Sequence, residues 1–324
     1  MVQLTEFEFI ECYVTNLAAT RPDVVLSVGD DAAIVNVPSD KSLVITTDSM
    51  VEGRHFLPDT PAHVLGYRLL AMNLSDLAAM GAQPAWAMLS LTTPHLETQW
   101  LDDFFQGFQQ LATKYNITLI GGNTTQGPLN LTLQLHGFVP CNQALTRRGA
   151  KIGDKIVVTG TLGDATLGLN YLRGQLTNLN ETQKEFILNR LYYPIARVEL
   201  GEALLNHAHA AIDISDGLAA DLNHILQASG VGAVLEIEKL PYSMAMLALC
   251  DTSLAQQIAL YSGDNYELCF TIAAEKIELL KILSEKYHVT CTVIGEIIAE
   301  TGLFTVNSEN NRTAISPKGW DHFA

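Results

Sequence analysis

Four short acidic motifs carry the residues most capable of chemistry. GDD (29–31) places Asp30 beside Asp31 after a glycine, between two apolar runs. TTDSMVEGRHF (46–56) brings Asp48, Glu52 and His55 straight after a strand-like run. NLSDLAAMG (73–81) sets Asn73 and Asp76 three residues apart, on one face of a helix. IDISDG (212–217) flanks Ser215 with Asp213 and Asp216 where a strand turns into a helix. A carboxylate buried without a partner is strongly disfavoured, so adjacent aspartates between strands suggest a waiting cation. Hard divalent ions take oxygen ligands, and Mg²⁺ combines one or two carboxylates with water and substrate phosphate. Carboxylates spread over several element ends suit several such ions.

Each motif also has an ordinary structural reading. Asp30 or Asp31 can be a turn residue and Asp216 an N-cap. Asp76, inside a largely apolar helix, is harder to explain structurally. His55 alone fits a surface or hydrogen-bonded core histidine, and His207 and His209 read as structural. Two glycine-rich segments add to the set. LIGGNTTQGP (119–128) ends a strand at Gly121-Gly122, where backbone N–H groups can approach an anion, although a plain turn fits as well. YSGDNYELCF (261–270) puts Gly263, Asp264 and Asn265 ahead of another strand.

The elements that position these motifs can be read from periodicity. VVLSV (24–28), AIVNV (33–37), LVITT (43–47), WAMLSLT (86–92), ITLI (117–120) and LTLQLHGFV (131–139) read as strands. Thr60-Pro61 opens a helix that closes at Gly81, and a second helix spans 97–115. The basic, glycine-containing stretch TRRGAKIGDK (146–155) marks a change of texture, so domains of 1–145 and 146–324 are expected. Beyond it, helices over about 181–206, 217–229, 253–261 and 274–287 alternate with strands over 211–214, 232–237, 266–272 and 289–295. The fold class is α/β (α+β) in two domains.

Composition narrows the partners. The 324 residues suffice for two cores, and 19 basic against 35 acidic residues give a net charge of −16. Such a surface repels nucleic acid and anionic lipid, and a phosphorylated ligand would need cations recruited with it. Five dispersed cysteines without C-x-x-C spacing, an acidic start and no membrane-length apolar run point to the cytoplasm. P-loop, dinucleotide-binding, zinc-protease and G-x-S-x-G signatures do not occur.

GDDAA, TTDSMVEGRHF, NLSDLAAMGAQP, GGNTTQGP, LTRRGAKIGDKIVVTGTLGD, IDISDGL and SGDNYEL follow one another in the order and spacing of the thiamine-monophosphate kinases. The chain resembles that family from about residue 26 to 270, with a tail at KGWDHF. The resemblance implies ATP-dependent phosphorylation of thiamine monophosphate to thiamine diphosphate. It also implies a homodimer whose N-terminal mixed sheets close a shared barrel, and a C-terminal mixed sheet flanked by helices. Asp31, Thr46, Thr47, Asp48, Asp76, Asp213 and Asp216 match the family's metal ligands, so ATP with several Mg²⁺ ions is implied, with room for a monovalent cation. Gly122, with its neighbour Gly121, Arg147 and Ser215 match ATP contacts. His55, Asp264 and Trp320 fall where the family holds thiamine monophosphate. Asp48, Asp76 and Arg147 are the residues expected to carry catalysis, with Asp31 completing the main metal cage. Two positions depart from the pattern: Asn123 stands where the family has an aspartate that binds metal, and Asp264-Asn265 where Glu-Asp is common. Rival readings are a relative of the wider superfamily making another product, and a binding module without turnover.

Overall fold

In a computed structural model, residues 4–15, 21–321 and 323 are described. His322, in the KGWDHF tail, and Met1–Gln3, in the acidic start, lie outside them. The chain forms two compact units, Met1–Leu77 with Ala82–Asn142, and Ala78–Gly81 with Gln143–Ala324.

The first unit runs α1 (Glu6–Phe9), β1 (Val24–Leu26), β2 (Ile34–Val35), β3 (Lys41–Val51), α2 (Ala62–Ala79), β4 (Gln83–Thr93), α3 (Thr98–Lys114), β5 (Thr118–Gln126) and β6 (Asn130–Pro140). Its main sheet has the order β3-β6-β4-β5, antiparallel except for the β4–β5 pair joined through α3. Strands alternate sides every residue, and here the alternation is visible in burial. Leu131, Leu133 and Leu135 of β6 and Leu89 and Leu91 of β4 are buried on one side of the sheet. On the other side, Leu43 (37% exposed) and Ile45 (59% exposed) face outward. The short β1–β2 pair packs near one end of this outer face, with Val24 and Val35 against Trp86, Ile120 and Phe138. Helices α2 and α3 approach at two glycines: a Cβ on Gly66 would lie 1.9 Å from the Phe104 carbonyl oxygen, and one on Gly107 would lie 1.8 Å from that of His63. The α2 C-terminus closes as expected at Gly81, which is left-handed (φ 67°), with Ala82 N–H bonded to Leu77 O and Gly81 N–H to Ala78 O.

Several strands differ from their sequence-read limits. β3 does not stop at Thr47 but runs to Val51, so Asp48 sits inside a strand and not at its end. β5 likewise continues through GGNTTQ, which is therefore extended and not a turn. Both extensions are secured by long pairing partners, β6 for β3 and β4 for β5.

The second unit continues with β7 (Lys155–Thr159), α4 (Asp164–Leu172), α5 (Glu181–Tyr192), α6 (Val198–Leu204), β8 (Ala208–Ile214), α7 (Leu218–Ser229), β9 (Gly232–Glu236), α8 (Met244–Leu249), α9 (Thr252–Tyr261), β10 (Glu267–Ile272), α10 (Ile277–Tyr287), β11 (Cys291–Ile298), β12 (Gly302–Val306) and β13 (Arg312–Ala314). The mixed sheet β13-β12-β9-β11-β7-β10-β8 packs α7 over a core of Ile156, Val158, Ile212, Leu222, Leu235 and Ile294. The single helix expected over 181–206 is two, α5 and α6, because Pro194 lacks an N–H and excludes helical geometry for the residue before it. α4, α8, β12 and β13 were not anticipated; α8 and β13 are six and three residues long, too short for periodicity to register.

Candidate functional site

In the first unit, the pleat decides which side chains meet. Thr46 and Asp48 share the helix-covered side of β3, with Met50 buried next along it. The Thr46 hydroxyl donates to the Asp76 carboxylate, so α2 presents its interior aspartate to this strand. Asp48 and Asp76 are half-buried, and their oxygens, with the Thr46 hydroxyl, form a hard-donor set beside the apolar row through Leu133. Thr47 belongs to the opposite, exposed side with Leu43 and Ile45, so from here only its backbone carbonyl can join Thr46 and Asp48.

Asp30 and Asp31 are both exposed, so the desolvation argument that first drew attention to them does not apply. The Asp30 carboxylate accepts the Asp31 N–H at 2.9 Å, an ordinary turn contact. Among the described residues no three His, Cys, Asp or Glu side chains gather into a metal-holding group. Asn73 is buried and donates to Leu69 O at 2.9 Å, an intrahelical bond.

Gly122 pairs with Leu89, in the cross-strand row that begins at Asp48. A Cβ there would lie 1.8 Å from the Leu89 carbonyl oxygen, so only glycine allows β5 this close to β4. Gly121 is half-buried beside it. Asn123 pairs with Ser90, which pairs with Thr132 and then Ser49, so its exposed side chain stands on the outer side of the sheet. It is three strand steps, about 14 Å, from β3 and on the opposite face to Asp48. His55 is positioned by its own turn: the Val51 N–H donates to Nδ1 at 3.0 Å, which assigns the proton of the neutral ring to Nε2.

In the second unit the candidates converge on one turn between β8 and α7. Asp213 (5% exposed) lies in β8 opposite Leu268, and Ser215 and Asp216 follow in the turn itself. The Ser215 carbonyl accepts the Asp264 N–H at 2.8 Å, and the Asp216 carbonyl accepts the Trp320 N–H at 2.9 Å. Sequence positions 213–216, 264 and 320 are thus tied together by backbone hydrogen bonds. Sequence reasoning missed the residue that holds this turn: the Asp221 carboxylate accepts the Asp216 N–H at 3.1 Å and the Gly217 N–H at 3.0 Å. Asp221 is 3% exposed; burial, and then the negative charge of Asp216, push its carboxyl up to about 7. An aspartate within the apolar run LAADLNHIL was the available signal, by the same logic that singled out Asp76.

Arg147 is exposed, on a loop fastened to the far end of α7. The Ser229 hydroxyl donates to Arg147 O at 3.2 Å and accepts the Gly149 and Ala150 N–H groups at 3.1 and 3.2 Å. His209 bonds through Nδ1 to Asp154 at 2.9 Å, in keeping with its structural reading.

Asn265, one of the two departures from the family pattern, is 5% exposed and bonded within the fold. Beside it, Glu267 (1% exposed) accepts from Arg197 at 2.6 and 2.7 Å, Arg190 at 2.9 Å and Thr159 at 2.6 Å. Burial would raise this carboxyl, but the two guanidiniums overcome it and hold it below the usual range. Asp164 accepts from Ser243 and Thr161; burial raises its carboxyl against these bonds and the nearby Arg190.

Comparison with known proteins fits this geometry. Residues 29–139 match the N-terminal domain of the AIR synthase related proteins, and 151–306 match their C-terminal domain. The chain is 43% identical over 319 residues, 98% of each chain, to a thiamine-monophosphate kinase of Salmonella typhimurium. A thiamine-monophosphate kinase structure from Stenotrophomonas maltophilia superposes with a TM-score of 0.87 at 42% identity, covering 94% of this chain and 97% of that one. AaThiL complexed with AMPPCP and TMP superposes with a TM-score of 0.79 at 31% identity, covering 100% and 99%. The chain belongs to the thiamine-monophosphate kinase family, within the AIR synthase related proteins.

Proposed function

We propose that the chain performs its family's reaction, ATP-dependent phosphorylation of thiamine monophosphate to thiamine diphosphate, by direct in-line, Mg²⁺-assisted transfer. The observation that carries this reading is the β8–α7 turn, where phosphate-side candidates Ser215 and Asp216 hold substrate-side candidates Asp264 and Trp320 by backbone bonds.

The acceptor supplies its own nucleophile. A phosphate monoester has a second pKa of about 6 and is mostly dianionic at neutral pH, so no general base is required. The central difficulty is bringing two anions together in a protein of net charge −16. Bound Mg²⁺ would neutralise phosphate charge, which is the main catalytic need in phosphoryl transfer. The donor chemistry fits: two half-buried carboxylates and a threonine hydroxyl suit a site completed by water and phosphate, not an all-protein cage. Asp48, Asp76 and Thr46 would hold metal on the first unit, with the Thr47 carbonyl and Asp31 as further oxygens, and Asp213 and Asp216 on the second. Gly121 and Gly122 offer backbone to ATP, Arg147 its guanidinium to transferred charge, and Asn123 an amide oxygen. His55, through Nε2–H, Asp264 and Trp320 receive thiamine monophosphate.

We further assign residues 1–145 to ATP and metal binding and to dimerisation, and residues 146–324 to a second α/β domain. A homodimer closing a barrel from two copies of the β3-β6-β4-β5 sheet is supported by its outward Leu43 and Ile45 and by its long outermost strands. Among the described residues no helix is long and apolar enough to cross a membrane, and the five cysteines are free thiols, in keeping with a reducing cytoplasm.

The test is product formation. Purified protein with ATP, Mg²⁺ and thiamine monophosphate should yield thiamine diphosphate, while free thiamine yields none. Nucleotide binding without diphosphate formation overturns the assignment. With a chiral γ-phosphate, inversion supports direct transfer and retention requires a phosphoenzyme.

A further inference from the structure

The loop that carries Asp264 has an unusual backbone. Asp264 and Tyr266 are both left-handed (φ 60° and 52°) although neither is glycine, and Tyr266 is buried. L-residues avoid this region, so two in three positions persist only where surrounding contacts over-determine them. Asn265, between them, supplies the contacts. Its Oδ1 accepts the Gly163 N–H at 2.6 Å, and its Nδ2 donates to Ser262 O at 2.7 Å. One amide thereby fastens the loop both to the turn before α4 and to the end of α9. The consequence falls on Asp264, whose carboxylate accepts from the Tyr266 hydroxyl at 2.9 Å across the bend.

Both partners of Asn265 are themselves constrained. Gly163 is left-handed (φ 84°), and a Cβ there would lie 2.5 Å from Ile258 and 2.8 Å from Met246, so the turn that presents this N–H requires glycine. Ser262 donates its hydroxyl to Ile258 O at 2.7 Å, which fixes the last turn of α9. The site asks for an acceptor on one side and a donor on the other. An amide provides both, whereas an ionised carboxylate provides only the acceptor.

We propose that Asn265 is a positioning residue for thiamine monophosphate: its amide holds the 262–266 loop so that Asp264 presents its carboxylate to the substrate. This rests on the reading of Asp264 as a substrate contact. It assigns Asn265 to the acceptor side of the reaction and not to ATP.

The test compares Asn265→Ala, Asn265→Asp, Asp264→Ala and the double variant Asp264→Ala/Asn265→Ala in the full chain, reading KM for each substrate, kcat and thermal stability. Asn265→Ala should raise KM for thiamine monophosphate about tenfold, the scale of one lost hydrogen bond, with KM for ATP within about twofold. Asn265→Asp keeps the acceptor and should show a smaller rise in the same constant. Because Asn265 acts through Asp264, the double variant should be no worse in KM than Asp264→Ala alone. If Asn265→Ala fails to fold, Asn265→Asp with its double variant carries the same test. An unchanged KM in both Asn265 variants, parallel rises for both substrates, or additive effects in the double variant would overturn the proposal. If Asp264→Ala leaves that KM unchanged, the reading of Asp264 itself fails, and the two failures are thereby distinguished.

Discussion

The two units hold acidic side chains in opposite ways. On the first, Asp48 and Asp76 are half-buried among hydroxyl and carboxylate oxygens, at the edge of an apolar row. On the second, Glu267 is closed off from water and receives four hydrogen bonds.

 Three of those four bonds come from Arg190 and Arg197, and the fourth from the Thr159 hydroxyl. A carboxylate neutralised by arginines inside the fold is committed to structure. A half-open oxygen set suits a hard cation, the role proposed above for Asp48 and Asp76. Substituting one residue from each region should therefore separate activity from stability.

The largest effect is expected on the first unit. Asp48→Ala should lower kcat by about 10²–10³-fold, the scale of losing one preorganised charge-stabilising group. Because the position is half-exposed, its stability without metal should change by no more than about 1 kcal/mol. Melting curves with chelator present check this, and a clearly lower midpoint for the variant would make Asp48 a structural residue.

Glu267→Gln should do the reverse, costing about 3 kcal/mol of stability because it removes the buried charge that two half-buried guanidiniums neutralise. It should leave the Mg²⁺ dependence of the remaining folded enzyme unchanged. Its pH signature has a definite sign. Arg197 and Arg190 hold the Glu267 carboxyl below its ordinary value, against burial. The folded state thus binds this proton less readily than the unfolded chain, and the stabilisation is present above the unfolded pKa of about 4.3. It is lost as pH falls through the lower folded value. Denaturant unfolding across the acid range should show wild type losing stability there and Glu267→Gln losing less.

An intermediate effect is expected at Gly122. Adding a methyl group in Gly122→Ala meets the Leu89 carbonyl at 1.8 Å and forces β5 away from β4. The cost should be about 1–3 kcal/mol, as for overpacking, with a raised KM for ATP as the functional readout. Unchanged stability would mean that the strand end yields freely.

The comparison also explains what the sequence made legible. Asp48 and Asp76 stood out because an aspartate in an apolar context is conspicuous, and the helix closing at Gly81 followed from C-cap chemistry alone. Strand limits were harder to read. Glycine and asparagine after ITLI looked like a turn, yet pairing with β4 extends the strand to Gln126. Faces were harder still, since once β3 runs through Asp48 the pleat sends Thr47 away from its neighbours. Asp221 and Glu267 were passed over because their partners lie 4 to 108 residues away in sequence, or belong to backbone, which no local spacing encodes; Asn265 stood out only as a departure, since its partner Gly163 lies 102 residues away.

The smallest predicted effect addresses the one position that fits neither mode. Asn123 is exposed on β5, at the far end of the sheet from β3 and on the face opposite Asp48. Within one sheet it cannot share an ion with Asp48 through its side chain, because about 14 Å of backbone and the sheet itself intervene. Asn123→Asp should lower the Mg²⁺ concentration for half-maximal activity by severalfold, since a carboxylate binds a hard cation better than an amide oxygen. Titrating activity against Mg²⁺ at saturating ATP measures it. A leftward shift places Asn123 at a metal other than the one beside Asp48 of its own sheet, as a second copy would supply in the proposed barrel. An unshifted titration removes Asn123 from the proposed ligand set.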